Sequence, residues 1–438
     1  MTSQQPAGRQ GANSCRESCK IRRQIQHLLL YLLQMREKFF YIHIYKICYH
    51  ITTTEKKRKG FVMAEEKRTL ETQLVQAGNR RDHVTGAVNT PVYFSTAYRH
   101  EGIGQSTGFD YSRTGNPTRT VLEETIADLE GGARGLACAS GMAAVQTVLS
   151  LFEQGDEIIA TSDLYGGTYR LFENGWTRWG VNFHYAEPED ISTFRDKINE
   201  NTKALFIETP TNPLMQEADL DAYGKLADEH GLLLIVDNTF YTPVIQRPFD
   251  YGADIVIHSA SKYLSGHNDV IAGLVVAREE KVGEDLFYYH NSIGAVLSPM
   301  DSWLVLRGMK TLQLRMDKHT ENAQAVVEYL ESQPLCREVI YPGKGGMLSF
   351  RVEEEEMVNP ILQALKVISF AESLGGVESL MTYPATQTHA DVPEEIRFKL
   401  GVCNRLLRFS VGIESAEDLI KDLDEAFQYA AKERKART

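Results

Sequence analysis

Cysteine is scarce in this 438-residue chain, with six in all. Cys15, Cys19 and Cys48 lie near the N-terminus, and Cys138, Cys336 and Cys403 are scattered far apart behind them. No pair among the latter three has metal-ligand spacing and no framework suggests secretion, so neither a metal centre nor a disulfide scaffold is expected. A reducing cytoplasm is the expected location. Cys138 sits inside an apolar stretch and reads as packing rather than as a nucleophile. Long apolar runs are also missing. Leu28–Leu33 is cut short by Gln34, Arg36, Glu37 and Lys38, well under the ~20 residues a membrane span needs. No small-residue cleavage site follows it, which argues against a signal peptide.

Excess positive charge is confined to one end. Residues 1–62 carry 12 Lys/Arg against 3 Asp/Glu, whereas the remainder carries 35 against 56. An acidic body of this kind argues against nucleic acid as the main partner. The basic stretch could form an amphipathic helix at a membrane surface, but translated upstream sequence explains it better. Lys57-Arg58-Lys59-Gly60 is what purine-rich, ribosome-binding-site-like codons encode, and Met63 follows directly as the expected natural start. Nucleotide-binding loops are missing too. Gly102-Ile103-Gly104 with Gly108 has the wrong spacing for a dinucleotide fingerprint, and no P-loop lysine motif occurs.

What is present is a long alternation of apolar strands and amphipathic helices. At this length two or more domains are expected. A short helical piece at Glu71–Gly78 precedes a loop-rich arm that runs to Asn116. Asn116-Pro117 then pairs a capping side chain with a proline at the first helical position, and Leu122, Ile126 and Leu129 follow at helical spacing before Gly131-Gly132. Strands are expected at 135–139, 157–161, 181–185, 204–208, 232–237 and 255–259, with helices at 143–152, 168–179 and 220–229. Such a pattern indicates a mostly parallel sheet covered by helices on both faces. A long helix around 302–314 leads into a smaller mixed domain with strands near 347–352 and 405–411.

In a sheet of this kind ligands sit beyond the carboxyl ends of the strands, and that is where the polar residues fall. Ser140-Gly141-Met142 opens a helix after one strand, and Asp163 and Tyr165 follow another. Glu208, Asp237 and Ser259 end the next three. Ile255–Ser259 delivers Ser259, Ser261 and Lys262 into one loop. Hydroxyls and helix N–H groups can hold a phosphate, a buried lysine can form an imine with an aldehyde, and Asp237 can keep a pyridinium nitrogen protonated. Together these are the requirements of pyridoxal 5′-phosphate.

Asp237-Asn238-Thr239, Ser259-Ala260-Ser261-Lys262-Tyr263 with Gly266-His267, and Glu208-Thr209-Pro210-Thr211-Asn212-Pro213 resemble the Cys/Met-metabolism family of pyridoxal-phosphate enzymes. The likeness runs from about Glu71 to Ala430. It implies an α/β protein of fold type I, aspartate-aminotransferase-like, with a mostly parallel sheet and a smaller C-terminal α/β domain. The implied division is an extension over 1–62, an arm over 63–118, a cofactor-binding domain over 119–305 and a C-terminal domain over 306–438. The resemblance further implies a homotetramer built as a dimer of dimers.

By position in the motifs, Lys262 corresponds to the Schiff-base lysine, Asp237 to the ring-nitrogen partner, and Gly141, Met142, Ser259 and Ser261 to phosphate ligands. Tyr111 and Arg113, in Asp110-Tyr111-Ser112-Arg113, match residues that hold the phosphate of the neighbouring subunit. Tyr165 matches the tyrosine that stacks on the ring and assists proton transfer. Arg408 matches the arginine gripping the substrate carboxylate, and Asn212 and Ser373 match contacts to substrate and cofactor. Glu372 stands where some β-lyases carry an aromatic residue; it favours γ-carbon chemistry, although some β-lyases keep it.

Within the family, Tyr93–Arg99 and Leu406–Glu414 are most similar to the Bacillus-type cystathionine γ-synthases that also act as O-acetylhomoserine sulfhydrylases. The expected reaction is γ-replacement on an O-acylhomoserine by cysteine or sulfide. A cystathionine or methionine lyase stays open, as does, from another class, a cofactor-binding protein without catalysis.

Overall fold

The computed structural model describes residues 68–390 and 392–437. The expectations for Cys15, Cys19, Cys48, Leu28–Leu33 and Met63 lie outside these residues. Thr69–Thr438 forms one compact unit.

The unit opens with α1 (Leu70–Val75), followed by an arm that carries an antiparallel bridge between Ala97 and Tyr111. Helix α2 (Pro117–Glu130) begins where its sequence dictates. The Asn116 side chain accepts from the backbone N–H groups of Thr118 and Arg119, Pro117 occupies the first turn, and Gly131 ends the helix at φ 83°. A cap of this type contributes about 1 kcal/mol, and the left-handed residue after it is best filled by glycine. There follow β1 (Arg134–Cys138), α3 (Gly141–Leu149), β2 (Glu157–Thr161), α4 (Gly166–Asn174), β3 (Asn182–Ala186), β4 (Thr202–Glu208), α5 (Leu220–His230), β5 (Leu233–Asp237), β6 (Ile255–Ser259) and β7 (Gly273–Ala277). The strands form one seven-stranded sheet in the order β1-β7-β6-β5-β4-β2-β3. Only β7 runs against the others.

Both faces of this sheet are buried, and the side chains divide by alternation. Ile158, Phe206, Ile235 and Ile257 pack under α3 and α4. Ile159, Leu205, Ile207, Leu234 and Val236 pack against α5, and Val256, Leu274 and Val276 against α2. A strand buried on both sides needs apolar residues at every position, which is why these segments read as unbroken apolar runs. Cys138 belongs to this core; burial pushes its thiol up to about 12, so it has little thiolate character.

Beyond the sheet lie α6 (Glu280–Ile293), α7 (Pro299–Met309), α8 (Leu312–Ser332), β8 (Cys336–Ile340), β9 (Met347–Val352), β10 (Ser369–Phe370), β11 (Leu380–Thr382), β12 (Leu406–Ser410) and α9 (Ala416–Arg437). The last five strands make a second sheet, ordered β10-β11-β12-β9-β8 and antiparallel except between β10 and β11. It is covered by α8 and α9, whose Ala323, Val326, Leu330, Leu419, Leu423 and Phe427 meet Phe350, Leu407 and Phe409. The fold is therefore the expected α/β architecture.

Two helices differ from their sequence outlines. The helix expected at 168–179 starts at Gly166 and stops at Asn174, with a separate 3-10 turn at Trp176–Trp179 after Gly175. The long helix around 302–314 is broken between Met309 and Leu312. There the Gly308 carbonyl is taken by Thr311 Oγ1 and Arg315 Nη2.

Candidate active site

The carboxyl ends of β2, β4, β5 and β6, the start of α3 and two segments of the second sheet enclose a cavity of ≈640 Å³. That volume is in the range of small-molecule and cofactor sites. Lys262, Tyr165, Asp237, Gly141, Met142, Ser259, Ser261, Arg408, Asn212, Ser373 and Glu372 all line it. Tyr111 and Arg113 do not. Tyr111 is exposed on the arm, and Arg113 Nη1 donates instead to the carbonyl and side-chain oxygens of Asn291, at 2.5 and 2.9 Å.

One end of the cavity suits an anion. Ser140 caps α3, its hydroxyl accepting from Ala143 N at 3.0 Å, which leaves the first N–H groups of the helix at the cavity wall. Gly141 is required by contact: a Cβ there would lie 2.9 Å from the Cβ and Oγ of Ser259. Ser261 reaches the same wall with its hydroxyl bridging Ala272, donating to the carbonyl at 3.2 Å and accepting from the amide at 2.9 Å. An anion must compete for that proton.

The floor carries carboxyl groups. Asp237 Oδ1 accepts from the Thr239 amide at 3.1 Å and the Thr239 hydroxyl at 2.5 Å. Burial raises its pKa, while the Thr239 bonds and the proximity of His258 oppose that. Glu208 accepts from Tyr165 N at 2.9 Å. Burial, and then the neighbouring Asp237, push Glu208 well above the ordinary carboxylate range. Two buried carboxyl groups side by side resist double ionisation. A cation above Asp237 would relieve its desolvation.

Two cations line the same cavity. Lys262 follows β6 by three residues, and its Nζ lies 3.4 Å from Ser373 Oγ. Burial and then the Arg408 guanidinium pull Lys262 down to about 8, against an upward pull from Glu372. Arg408 is 1% exposed in the middle of β12. Its Nη1 donates to Asn212 Oδ1 at 3.0 Å, and Nη2 to the Ser373 carbonyl at 2.9 Å and Thr382 Oγ1 at 3.0 Å. Among the described residues it has no carboxylate hydrogen-bonded to it, and its buried Nε finds no acceptor. Burial pulls its pKa to about 10. The hydroxyl of Tyr165 stays protonated near neutrality, because burial and then Glu372 raise it more than Arg170 and Arg408 lower it.

A sequence model of the Cys/Met metabolism PLP-dependent enzymes matches residues 71–428. The chain belongs to that family. Its relatives include the cystathionine γ-synthase/O-acetylhomoserine (thiol)-lyase of Bacillus subtilis, 66% identical over 82% of this chain and 96% of that one. The cystathionine γ-synthase of Haemophilus influenzae is 58% identical over 82% and 97%. Among solved structures, the cystathionine γ-lyase of Lactobacillus plantarum complexed with L-serine superposes with a TM-score of 0.82 at 44% identity, covering 83% of this chain and all of that one.

As a Cys/Met metabolism enzyme the protein depends on pyridoxal phosphate, and the cavity fits that group. An anion cup, a buried carboxyl group at the floor and a buried primary amine face one volume, and a Cβ on the glycine at the cup would press on Ser259. Sequence reading places Glu208 and Thr239 at strand ends without giving them a part. Thr239 links Asp237 to Ser259, whose amide donates to its hydroxyl at 2.8 Å. Asn268, also in the wall, donates to Glu378 Oε2 at 2.7 Å and has no sequence signal. No cluster of His, Cys, Asp or Glu suited to a metal occurs among the described residues. None of their helices is long and apolar enough to cross a membrane.

Proposed function

We propose that the protein catalyses γ-replacement on O-acetylhomoserine, giving cystathionine with cysteine and homocysteine with sulfide, with acetate leaving in each case. The observation that carries the reading is Arg408, a buried guanidinium with no carboxylate hydrogen-bonded to it among the described residues, set in the same cavity as the depressed amine of Lys262. The names of the relatives at 66% and 58% identity supply the reaction type.

Lys262, Ser259, Ser261, Gly141, Met142 and Asp237 are the residues that would hold the cofactor. When bound, pyridoxal phosphate supplies the electron sink that makes the protons on Cα and then Cβ of an amino acid acidic. Arg408 grips the substrate carboxylate as a fork while Asn212 and the Ser373 carbonyl keep the fork in place. Lys262, with its amine near neutrality, takes the Cα proton and later returns it. Removal of a Cβ proton, which Lys262 or Tyr165 at the cavity wall can carry and return to Cβ as the thiol adds, expels acetate from Cγ as a stable anion. The incoming thiol then adds at Cγ. Glu372 lines the cavity wall, which supports a part for it in ordering the γ-substituent. Tyr111 and Arg113 serve the cavity of a second copy, which their positions outside their own cavity support, in a tetramer built from two such pairs.

Purified holoenzyme supplied with O-acetyl- or O-succinylhomoserine, each with cysteine or sulfide, tests the reading. Cystathionine or homocysteine should form with stoichiometric release of the acid, fastest with the acetyl ester. Turnover of cystathionine alone, with no replacement on either ester, would instead select the lyase reading suggested by the Lactobacillus relative.

A further inference from the structure

Glu130, the last residue of α2, is fully buried, and so is His258, whose Nε2 lies 2.6 Å from Glu130 Oε1. The same Oε1 accepts from Asn238 Nδ2 at 3.2 Å. Asn238 is itself fully buried; it donates to the Gln246 carbonyl at 2.9 Å and accepts from Gln246 Nε2 at 3.1 Å. The carbonyl of Glu130 is tied down by Arg247 Nη2 at 3.2 Å. None of these residues lines the cavity.

Their places in the chain give the cluster its meaning. Asn238 directly follows Asp237 at the end of β5, and His258 directly precedes Ser259 at the end of β6. The pairing of β5 with β6 ends at Asp237 opposite Ile257. Past the backbone bond from Asn238 N to the Ile257 carbonyl, at 2.9 Å, no ladder pairing among the described residues joins Asp237 to the Ser259–Lys262 turn. On the cavity side the spacing is set by Thr239. On the α2 side one oxygen of Glu130 holds both strand ends. An apolar residue could fill the end of α2, whereas a buried carboxyl group costs free energy unless its bonds are used.

We propose that Glu130 is a positioning residue for the cofactor site: by joining Asn238 to His258 it holds Asp237 and the Ser259–Lys262 turn at a fixed spacing. This rests on the reading that Asp237 and Lys262 bind pyridoxal phosphate.

The test compares holoenzyme carrying E130A, E130Q or N238A with wild type. The measurements are the dissociation constant for pyridoxal phosphate by absorbance titration, the circular dichroism of the cofactor band, and kcat and KM for O-acetylhomoserine. E130A should weaken cofactor binding and lower kcat by tenfold or more, with an altered dichroic band and KM within twofold, because Arg408 and Asn212 lie on other segments. E130Q, which retains an oxygen acceptor, should recover most of the affinity, and N238A should lose at least threefold. Cofactor affinity within twofold of wild type in E130A overturns the proposal, as does a rise in KM matching the fall in kcat. If E130A does not fold, wild-type affinity in both E130Q and N238A overturns it. K262A serves as the control on the underlying reading: retained cofactor absorbance and turnover there would remove the cofactor assignment itself, whatever Glu130 does.

Discussion

Lys262 Nζ lies 3.4 Å from Ser373 Oγ, and the carbonyl of the same serine receives Nη2 of Arg408 at 2.9 Å. Two buried cations from different sheets are thus coupled through one residue. Burial first, and then the Arg408 guanidinium, lower the tendency of Lys262 to carry a proton. On the proposed function, the amine that acts as nucleophile and base is made ready by its burial and, next, by the group that grips the substrate carboxylate.

Replacing Lys262 by alanine should abolish turnover, by about 10³-fold or more, since a positioned proton carrier alone is worth roughly 10²–10⁴. The visible absorbance of the bound cofactor should vanish with it. Steady-state assays and a spectrum of the purified variant check both, and normal turnover would remove the core of the functional reading.

Capture of cofactor by the apoenzyme should be pH-dependent in a stated direction. Only the neutral amine attacks an aldehyde, and its fraction rises with pH until the amine is fully deprotonated. With Lys262 at about 8, the capture rate should climb roughly tenfold per pH unit below that value and level off above it. Stopped-flow absorbance would show this; a midpoint near an ordinary lysine's 10.5 would contradict the burial argument.

Arg408→Lys keeps the charge and removes the fork. Asn212, Thr382 and the Ser373 carbonyl would lose a partner shaped for them, and the substrate carboxylate would lose one of two parallel bonds. Loss of such a buried pair costs about 2–5 kcal/mol, so kcat/KM should fall by a factor of roughly 30 to several thousand. Cofactor content, read by absorbance, should stay at the wild-type level. A parallel loss of cofactor would show that Arg408 serves the cup instead.

Arg113→Ala should weaken cofactor retention, and mixed with Lys262→Ala it should regain activity. If Arg113 completes the partner's site, a heterodimer of the two variants contains one cavity with both residues intact. Activity approaching half of wild type is expected in verified mixed dimers. No recovery would place Arg113 in a structural role through Asn291.

Much of the fold is legible in the sequence because both faces of the main sheet are buried. Segments such as Leu205–Ile207 and Ile255–Ile257 cannot be mistaken for surface, and Asn116 with Gly131 marks both ends of α2. Strand β7 escapes such a reading: Gly273–Ala277 is also fully buried, but it is short and follows a polar turn with no preceding helix to frame it. The cavity residues carried by motifs stand out because loop lysines, serines and glycines at strand ends have few other reasons to cluster. Glu130 and Thr239 do not, since a carboxyl group closing a helix and a threonine after an aspartate look ordinary until the strand ends are brought together.

The lack of a carboxylate hydrogen-bonded to Arg408 among the described residues has a practical corollary. If Arg408 grips the substrate carboxylate as proposed, a desolvated guanidinium of this kind should discriminate poorly among small oxyanions. Sulfate, phosphate or the acetate released by the reaction would compete for the same fork, so the apparent KM for the amino acid should rise with the concentration of such anions in the buffer. Product acetate would then restrain its own formation, a brake that comes from the carboxylate grip alone.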